Sequence, residues 1–365
     1  MQKRNQHLSN NIYYTFAAAA MLLVLCAIFS GCYTLKQGTT MLGYLGRAVP
    51  LETLLDANFN DADAQENRRF VELVGEIRRF AAEELGLNMS RNYTRYVSLD
   101  RSYLAAVVSA SAADSFARHY WNYPVVGRLP YKGFFNPADA HREREKLERE
   151  DLDVWIRGVD AFSTLGWFRD PLFSYMRDYR TDRLADLIIH ESLHATMYLK
   201  GQAQFNEELA EFVGSEGARL FMEKRYGIDS DEYRAMFTGK EETQHFIAIV
   251  RELVRELQVL YESNAGRDEK LYEKDRIIQA AQDRFDAEYD DHFTSDNFRS
   301  FSTMQINNAY LDLFRLYYAD DYYIANLFEQ SGKSLPEFIA AAKTMPTRRG
   351  PPGRQRLAIA LGLER

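Results

Sequence analysis

Apolar residues recur every three or four positions through most of the second half of the chain, and charged residues fill the positions between them. This spacing is typical of amphipathic helices, which bury one face and expose the other. In the first half, the same spacing predicts helices over 68–87 and 136–151. In the second half, the pattern predicts helices over 181–199, 207–226, 231–262, 267–292 and 303–331.

Three other stretches of the first half are rich in aromatic and β-branched residues and are interrupted by Gly or Pro. Such runs favour strands and turns, so we expect strands within 92–111, 120–135 and 152–168. The sequence therefore predicts an α+β fold, mainly α, with one domain over 32–365. Within it, residues 32–180 form a mixed part with a small sheet and an edge strand near 158–168, and residues 181–365 form a helical part.

The first 31 residues have the features of an export signal. Lys3 and Arg4 give a basic start, an apolar run extends from Phe16 to Phe29, and the stretch IFSGC ends at Cys32. This order of basic, apolar and small residues is typical of a secretory signal peptide. IFSGC resembles a bacterial lipobox, which implies cleavage after residue 31 and a lipid on Cys32. The alternative is an uncleaved anchor, although the apolar run is shorter than the roughly 20 residues that span a bilayer.

Both interpretations place the rest of the chain outside the cytoplasm and tethered to a membrane. Tyr33 follows Cys32 where a signal for inner-membrane retention usually has Asp, which favours the outer membrane if the cell has one. The two cysteines are Cys26 and Cys32, so residues 33–365 have no thiol for a disulfide, a zinc ligand or a nucleophile. The formal net charge of −8 becomes −10 without Lys3 and Arg4, which argues against a nucleic-acid partner.

The candidate chemistry lies in the stretch HESLH, residues 190–194. Residues four apart lie on one face of a helix, about 5–6 Å from each other, so His190 and His194 can bind one ion. Glu191 follows the first histidine, and its carboxylate can take a proton from a water that the metal activates. Because this spacing is a zinc-hydrolase element, we predict His190 and His194 as metal ligands and Glu191 as the general base.

A catalytic zinc site needs a third protein ligand and one open position. Asn206 is a suitable N-cap for a helix that begins with Glu207, and a short loop after His194 would turn that helix back along the first. We therefore predict Glu207 as the third ligand. Glu211 lies one turn further on the same face, where it could accept a hydrogen bond from the outer nitrogen of a ligand histidine.

NEELAE, which follows HESLH, resembles the N-E-x-x-x-D/E element of the glutamate-zincins, peptidases that bind zinc through two His and one Glu. Nearly the whole mature chain resembles one group, the bacterial putative aminopeptidase family, whose members are exported or lipid-anchored. The most specific stretches are STLGWFRDP and LADLIIHESLHATMYLKGQAQFNEELAEFVGSEGA. The resemblance implies a zincin-like fold, one zinc ion per chain, a peptide substrate and aminopeptidase activity.

The resemblance also implies roles for two other segments. In zincins a strand beside the zinc helix pairs with the substrate backbone, and the corresponding residues here are Ser163, Thr164, Leu165 and Gly166. A buried strand without a ligand is the alternative. The oxyanion needs a neutral or cationic donor, and the family keeps a tyrosine at the position of Tyr317. Tyr310 and His245 are further candidates, and a structural role is the alternative for each of them.

Three functions remain open from the sequence. The first is a membrane-anchored zinc peptidase. The second is a di-iron carboxylate bundle, because Glu191 with His194 and Glu242 with His245 both have E-x-x-H spacing, and the glutamates of NEELAE could complete the site. The third is a binding or scaffold lipoprotein whose HESLH segment is inert. One zinc, two irons or no metal per chain would distinguish them.

Overall fold

The computed structural model describes most of the chain beyond the predicted signal peptide. The described residues are 31–56, 64–89, 92–123, 127–159, 170–317, 322–347 and 350–364. Within them, no helix is both long and apolar enough to cross a membrane. The fold is α+β and mainly α, as predicted from the sequence.

Helices make up most of the described residues. They are α1 Gly31–Arg47, α2 Ala64–Glu83, α3 Pro137–Glu148, α4 Thr181–Thr196, α5 Ala203–Tyr226, α6 Asp231–Glu262, α7 Arg267–His292, α8 Asn308–Tyr317, α9 Tyr322–Ser331, α10 Leu335–Lys343 and α11 Gly353–Leu361. The strands are β1 Val49–Pro50, β2 Arg95–Val97, β3 Ala105–Ala112, β4 Trp121–Tyr123, β5 Gly127–Leu129, β6 Lys132–Phe134, β7 Leu152–Val159 and β8 Leu172–Phe173.

The strands form three small sheets instead of the single sheet that the sequence predicts. In the first, β2 is central, antiparallel to β1 and parallel to β8. In the second, β3 is central and antiparallel to both β6 and β7, while β4 and β5 form a hairpin. β7 is therefore an edge strand among the described residues and ends at Val159. The rest of the predicted edge strand, 160–168, lies outside them.

Each part of the fold has its own apolar core. The largest core joins α2, the first sheet, α4, α5, α10 and α11, and it includes the fully buried Ile188 and Val213. A second core lies between α6, α7 and α8, where Phe246 and Phe301 pack edge to face with ring centroids 5.1 Å apart. The third core lies between the second sheet and α3. The candidate metal ligands belong to the two helices at the centre of the largest core.

Two glycines of α5 allow it to pack closely against α4. A Cβ on Gly214 would collide with Oδ1 of Asp186 and would lie 3.1 Å from the Cβ of His190. A Cβ on Gly217 would lie 3.0 Å from Cγ2 of Ile189. Because any side chain at these positions would push the helices apart, the glycines bring the start of α5 beside the histidines of α4.

Several helix boundaries predicted from the sequence are wrong. α2 extends from Ala64 to Glu83 instead of 68–87, and α3 ends at Glu148 instead of 151. α4 ends at Thr196 instead of 199, because Met197 takes an extended conformation. α5 begins at Ala203, so Asn206 lies within its first turn and does not cap a helix that starts at Glu207. The predicted helix over 303–331 contains two helices, α8 and α9, and residues 318–321 between them lie outside the described ranges.

Candidate metal centre

The HESLH segment lies in the second half of α4, on the border between the apolar core and solvent. Leu184, Ile188 and Leu193 are almost completely buried and fix the orientation of the helix. The side chain of His194 is 4% exposed, whereas that of His190 is 24% exposed. The helix thus presents one buried and one half-buried imidazole to the same side.

The third predicted ligand meets both histidines. Oε1 of Glu207 lies 3.4 Å from Nε2 of His194, and Oε2 lies 3.6 Å from Nε2 of His190. These are the donor atoms of the one group of three metal-ligating side chains found among the described residues. The Glu207 side chain is 63% exposed, so one side of the group stays open to solvent.

These separations fit a shared ion better than a direct ion pair. Two ligand atoms that each lie about 2.1 Å from a tetrahedral zinc ion are about 3.4 Å apart. A direct hydrogen bond between a charged nitrogen and an oxygen is shorter, about 2.7–2.9 Å. Both distances from Glu207 therefore leave the space that an ion would occupy, and the donor set of two imidazoles and one carboxylate suits zinc.

The loop between the two helices holds Glu207 in register. The amide of Asn206 accepts a hydrogen bond from the backbone N–H of Leu199 at 2.9 Å and donates one to the carbonyl of Leu199, also at 2.9 Å. Leu199 is fully buried, so this side chain satisfies two backbone groups that water cannot reach. Asn206 thereby fixes the loop onto the first turn of α5, directly before Glu207.

Glu191 is buried beside the histidines, and one of its oxygens is unsatisfied. Oε2 of Glu191 is inaccessible and has no hydrogen-bond partner among the described residues. Burial raises the pKa of Glu191, and the charges of His190 and His194 oppose that rise. A carboxylate whose charged form is destabilised by burial can take up a proton and release it again, as a general base requires.

Glu207 and the two histidines influence each other's charge. Contacts with His190 and His194 lower the pKa of Glu207 to about 2. Burial alone would lower the pKa of His190, but Glu207 and the nearby charges of Glu191 and Asp186 raise it overall. Glu207 is therefore ionised at neutral pH, as a carboxylate that binds a metal must be.

Sequence reasoning missed three residues that surround the centre. Asp186 lies one helical turn before His190, and burial raises its pKa to about 6. Asp170 and Tyr93 are buried near Glu191, and the N–H of Tyr93 donates to the carbonyl of Asp170 at 2.8 Å. The DxxxH spacing of Asp186 and His190 was a usable signal, and Asp170 belongs to STLGWFRDP, one of the two most specific stretches of the family resemblance. Nothing in the sequence links Tyr93 to HESLH.

The other predicted site residues have different outcomes. Glu211 is exposed and lines a cavity one turn from Glu207, and its predicted hydrogen bond to a ligand histidine stays a prediction. Tyr317 ends α8, and its side chain lies outside the described part of the chain, as do Ser163, Thr164, Leu165 and Gly166. Tyr310 packs on Trp155 in the core, with ring centroids 4.8 Å apart.

The second E-x-x-H segment has a structural role in the described residues. Glu242 accepts hydrogen bonds from the N–H groups of Thr294 at 2.8 Å and of Ser295 at 3.1 Å, and from Asn297. His245 stacks on His292, with ring centroids 4.2 Å apart. These two residues join no metal-ligating group of three or more side chains in the described ranges, so the di-iron arrangement is not assembled there.

Comparison with known proteins agrees with this site at the level of the family. The sequence profile of a family described as “Putative aminopeptidase” matches residues 32–357. No curated protein and no solved structure matches the chain. The family profile covers both helices of the candidate metal centre and most of the chain, and the protein therefore belongs to this putative aminopeptidase family.

Proposed function

We propose that the protein is a zincin-like metallopeptidase that binds one zinc ion through His190, His194 and Glu207. The observation that carries this proposal is the meeting of three ligand atoms at ion spacing, 3.4 and 3.6 Å, beside an unsatisfied buried carboxylate. Membership of the aminopeptidase family supports peptides as substrates. Burial of a carboxylate oxygen that has no hydrogen-bond partner among the described residues is costly, which favours a functional role for Glu191 over an inert scaffold.

Glu191 is the general base in this proposal. A zinc ion in this centre would polarise the scissile carbonyl and lower the pKa of the attacking water. Glu191 takes the proton of that water on its carboxylate, which lies beside the two histidines of the same helix. Since burial raises the pKa of Glu191, its protonated form is accessible, and it can then give the proton to the leaving amine.

We also propose that Cys32 carries the lipid that tethers the enzyme to an extracytoplasmic membrane surface. Cys32 lies in the first turn of α1, and this helix is fixed to the second sheet directly after it. The hydroxyl of Tyr33 donates to the carbonyl of Gly133, and Gln37 accepts from the N–H of Phe135 at 2.9 Å. Mass spectrometry of the N-terminal peptide tests this, since Cys32→Ser should remove the acyl mass and release the protein from membranes.

The peptidase proposal is tested with the purified protein, a mixture of peptides and mass spectrometry of the products. Wild type with zinc should cleave peptides, a chelator should stop cleavage, and added zinc should restore it. Glu191→Gln should bind the same amount of zinc and lose about 10²–10⁴-fold in kcat. Glu241→Gln is a matched control, because Glu241 is an exposed glutamate of α6 and is neither a proposed metal ligand nor the general base. Unchanged cleavage by Glu191→Gln would contradict the mechanism.

A further inference from the structure

A cavity of about 830 Å³ lies along α5 from Glu208 onward, directly after the proposed metal ligand Glu207. α5 and α6 form its long walls, and residues of α8 and α9 close it. Glu211 lines the cavity and lies one helical turn, about 5–6 Å, from the metal ligand Glu207. A volume in this range suits a short peptide or another ligand of that size, so the charges on its walls bear on the choice of substrate.

Two of the glutamates that line the cavity are paired with arginines that lie outside it. Glu208 and Glu216 of α5 both line it. Arg354 binds both oxygens of Glu208, at 2.8 and 2.9 Å. Arg219 binds both oxygens of Glu216 through its Nε, at 3.0 and 2.9 Å. Neither arginine lines the cavity, so these two carboxylates contribute little negative charge to it.

The opposite wall has a cation without a direct partner. Lys240 of α6 lines the cavity and is exposed. Among the described residues it has no ion pair and no hydrogen bond, and it lies near enough to Asp186 for its charge to act on that carboxylate. Asp186 lies one turn before the metal ligand His190, which places the ammonium group at the end of the cavity near the centre.

A second cation in the cavity wall, Arg315, shares its carboxylate partner with another arginine. Arg315 of α8 lines it and donates to Oδ1 of Asp312 at 3.1 Å. Oδ2 of the same carboxylate accepts from Nε of Arg118. One carboxylate thus serves two guanidinium groups, which leaves a surplus positive charge at Arg315. This surplus stands out in a chain whose formal net charge is −8.

We propose that this cavity is a subsite for a carboxylate of the substrate, and that Lys240 is its specificity-determining residue with support from Arg315. The inference rests on the proposed peptidase function. The carboxylate has two possible sources, the free C-terminus of a short peptide or an Asp or Glu side chain. In either case the ammonium group of Lys240, which has no hydrogen bond or ion pair among the described residues, gains a charge-assisted hydrogen bond when the ligand binds.

The test compares three peptides with the zinc-loaded full-length protein. They are Ala-Ala-Ala with a free C-terminus, the same peptide as its amide, and Ala-Ala-Glu amide. Wild type should have a kcat/KM about tenfold higher for the free acid than for the amide, which corresponds to one charge-assisted contact. Lys240→Gln should bring that ratio close to one. A preference for Ala-Ala-Glu amide alone would identify the side chain as the source of the carboxylate.

Arg234→Gln is the matched control, because Arg234 is an exposed cation of the same helix that pairs with Asp231 and does not line the cavity. It should keep the wild-type ratio. Calorimetric titration of the same peptides into the zinc-loaded Glu191→Gln protein separates this inference from the peptidase proposal. Tighter binding of the carboxylate peptides, lost when Lys240→Gln is added, supports the subsite even if no peptide is cleaved. Equal binding of acid and amides by both proteins overturns it.

Discussion

Gly214 of α5 lies against Asp186 of α4 with no room for a side chain between them. A Cβ added to Gly214 would also lie 3.1 Å from the Cβ of His190, a proposed metal ligand. The distance between the two helices at this point therefore determines how far Glu207 lies from the histidines.

We expect Gly214→Ala to weaken zinc binding about tenfold or more, as changes directly behind a ligand shell do. The added methyl group must displace Asp186 or move α5 away from His190, and such overpacking also costs about 1–3 kcal/mol of stability. Zinc affinity by competition with a chromogenic chelator measures the effect. Gly239→Ala is the control, since a Cβ there meets nothing within 4 Å. Equal zinc affinity of both variants would refute this role of Gly214.

Asn206 should be required for the stability of the loop before Glu207. Removal of its amide leaves the buried N–H and carbonyl of Leu199 without partners, and Asn206→Ala should cost about 2–3 kcal/mol. Asn206→Asp keeps the acceptor for the N–H and loses the donor to the carbonyl, so it should fall between alanine and wild type. Urea denaturation measures the free energy of unfolding. A loss below about 0.5 kcal/mol for alanine would contradict this role, because that is typical of a surface position.

Glu242 should make the stability of the α6–α7 region depend on pH. Burial alone would raise its pKa, but hydrogen bonds from Ser295, Thr294 and Asn297 lower it to about 2, from an ordinary value of 4.5. A lowered pKa in the folded state stabilises the protein above pH 4.5, and this contribution is lost as the pH falls from 4.5 towards 2. Glu242→Gln should therefore be less stable than wild type at pH 7, by about 1–2 kcal/mol after allowance for solvent screening.

Urea denaturation at pH 7 and at pH 3 measures this linkage. The difference between wild type and Glu242→Gln should be smaller at pH 3 than at pH 7. Glu241→Gln is the control, because its side chain is exposed and precedes Glu242 on the same helix. A difference that is the same at both pH values would show that the charge of Glu242 does not stabilise the fold.

The strongly periodic parts of the fold could be predicted from the sequence. α6 and α7 begin and end at the predicted residues, 231–262 and 267–292, because long amphipathic patterns end there at turn residues. Ser230 also caps α6 by accepting a hydrogen bond from the N–H of Tyr233 at 3.1 Å. The division of the strands into three sheets could not be predicted, because β1, β4, β5 and β8 are two or three residues long and depend on tertiary partners.

The meeting of His190, His194 and Glu207 could be predicted from the sequence, whereas the groups around them could not. The i, i+4 spacing of His190 and His194 is a local property of a helix, and the short loop to Glu207 limits where that side chain can lie. Asp170 approaches Glu191 from a distant part of the chain, and the close contact of Gly214 with Asp186 depends on how two helices cross. Such contacts arise from packing, and no local pattern encodes them.

The most direct test of the account is the zinc content of the purified protein, measured by mass spectrometry for wild type, His194→Ala, Glu207→Ala and Glu208→Ala. The account predicts one zinc per chain in wild type and in Glu208→Ala, and its loss from the other two variants. Zinc retained at full affinity by Glu207→Ala, or a wild type that binds no zinc when the metal is supplied, would contradict the proposed centre.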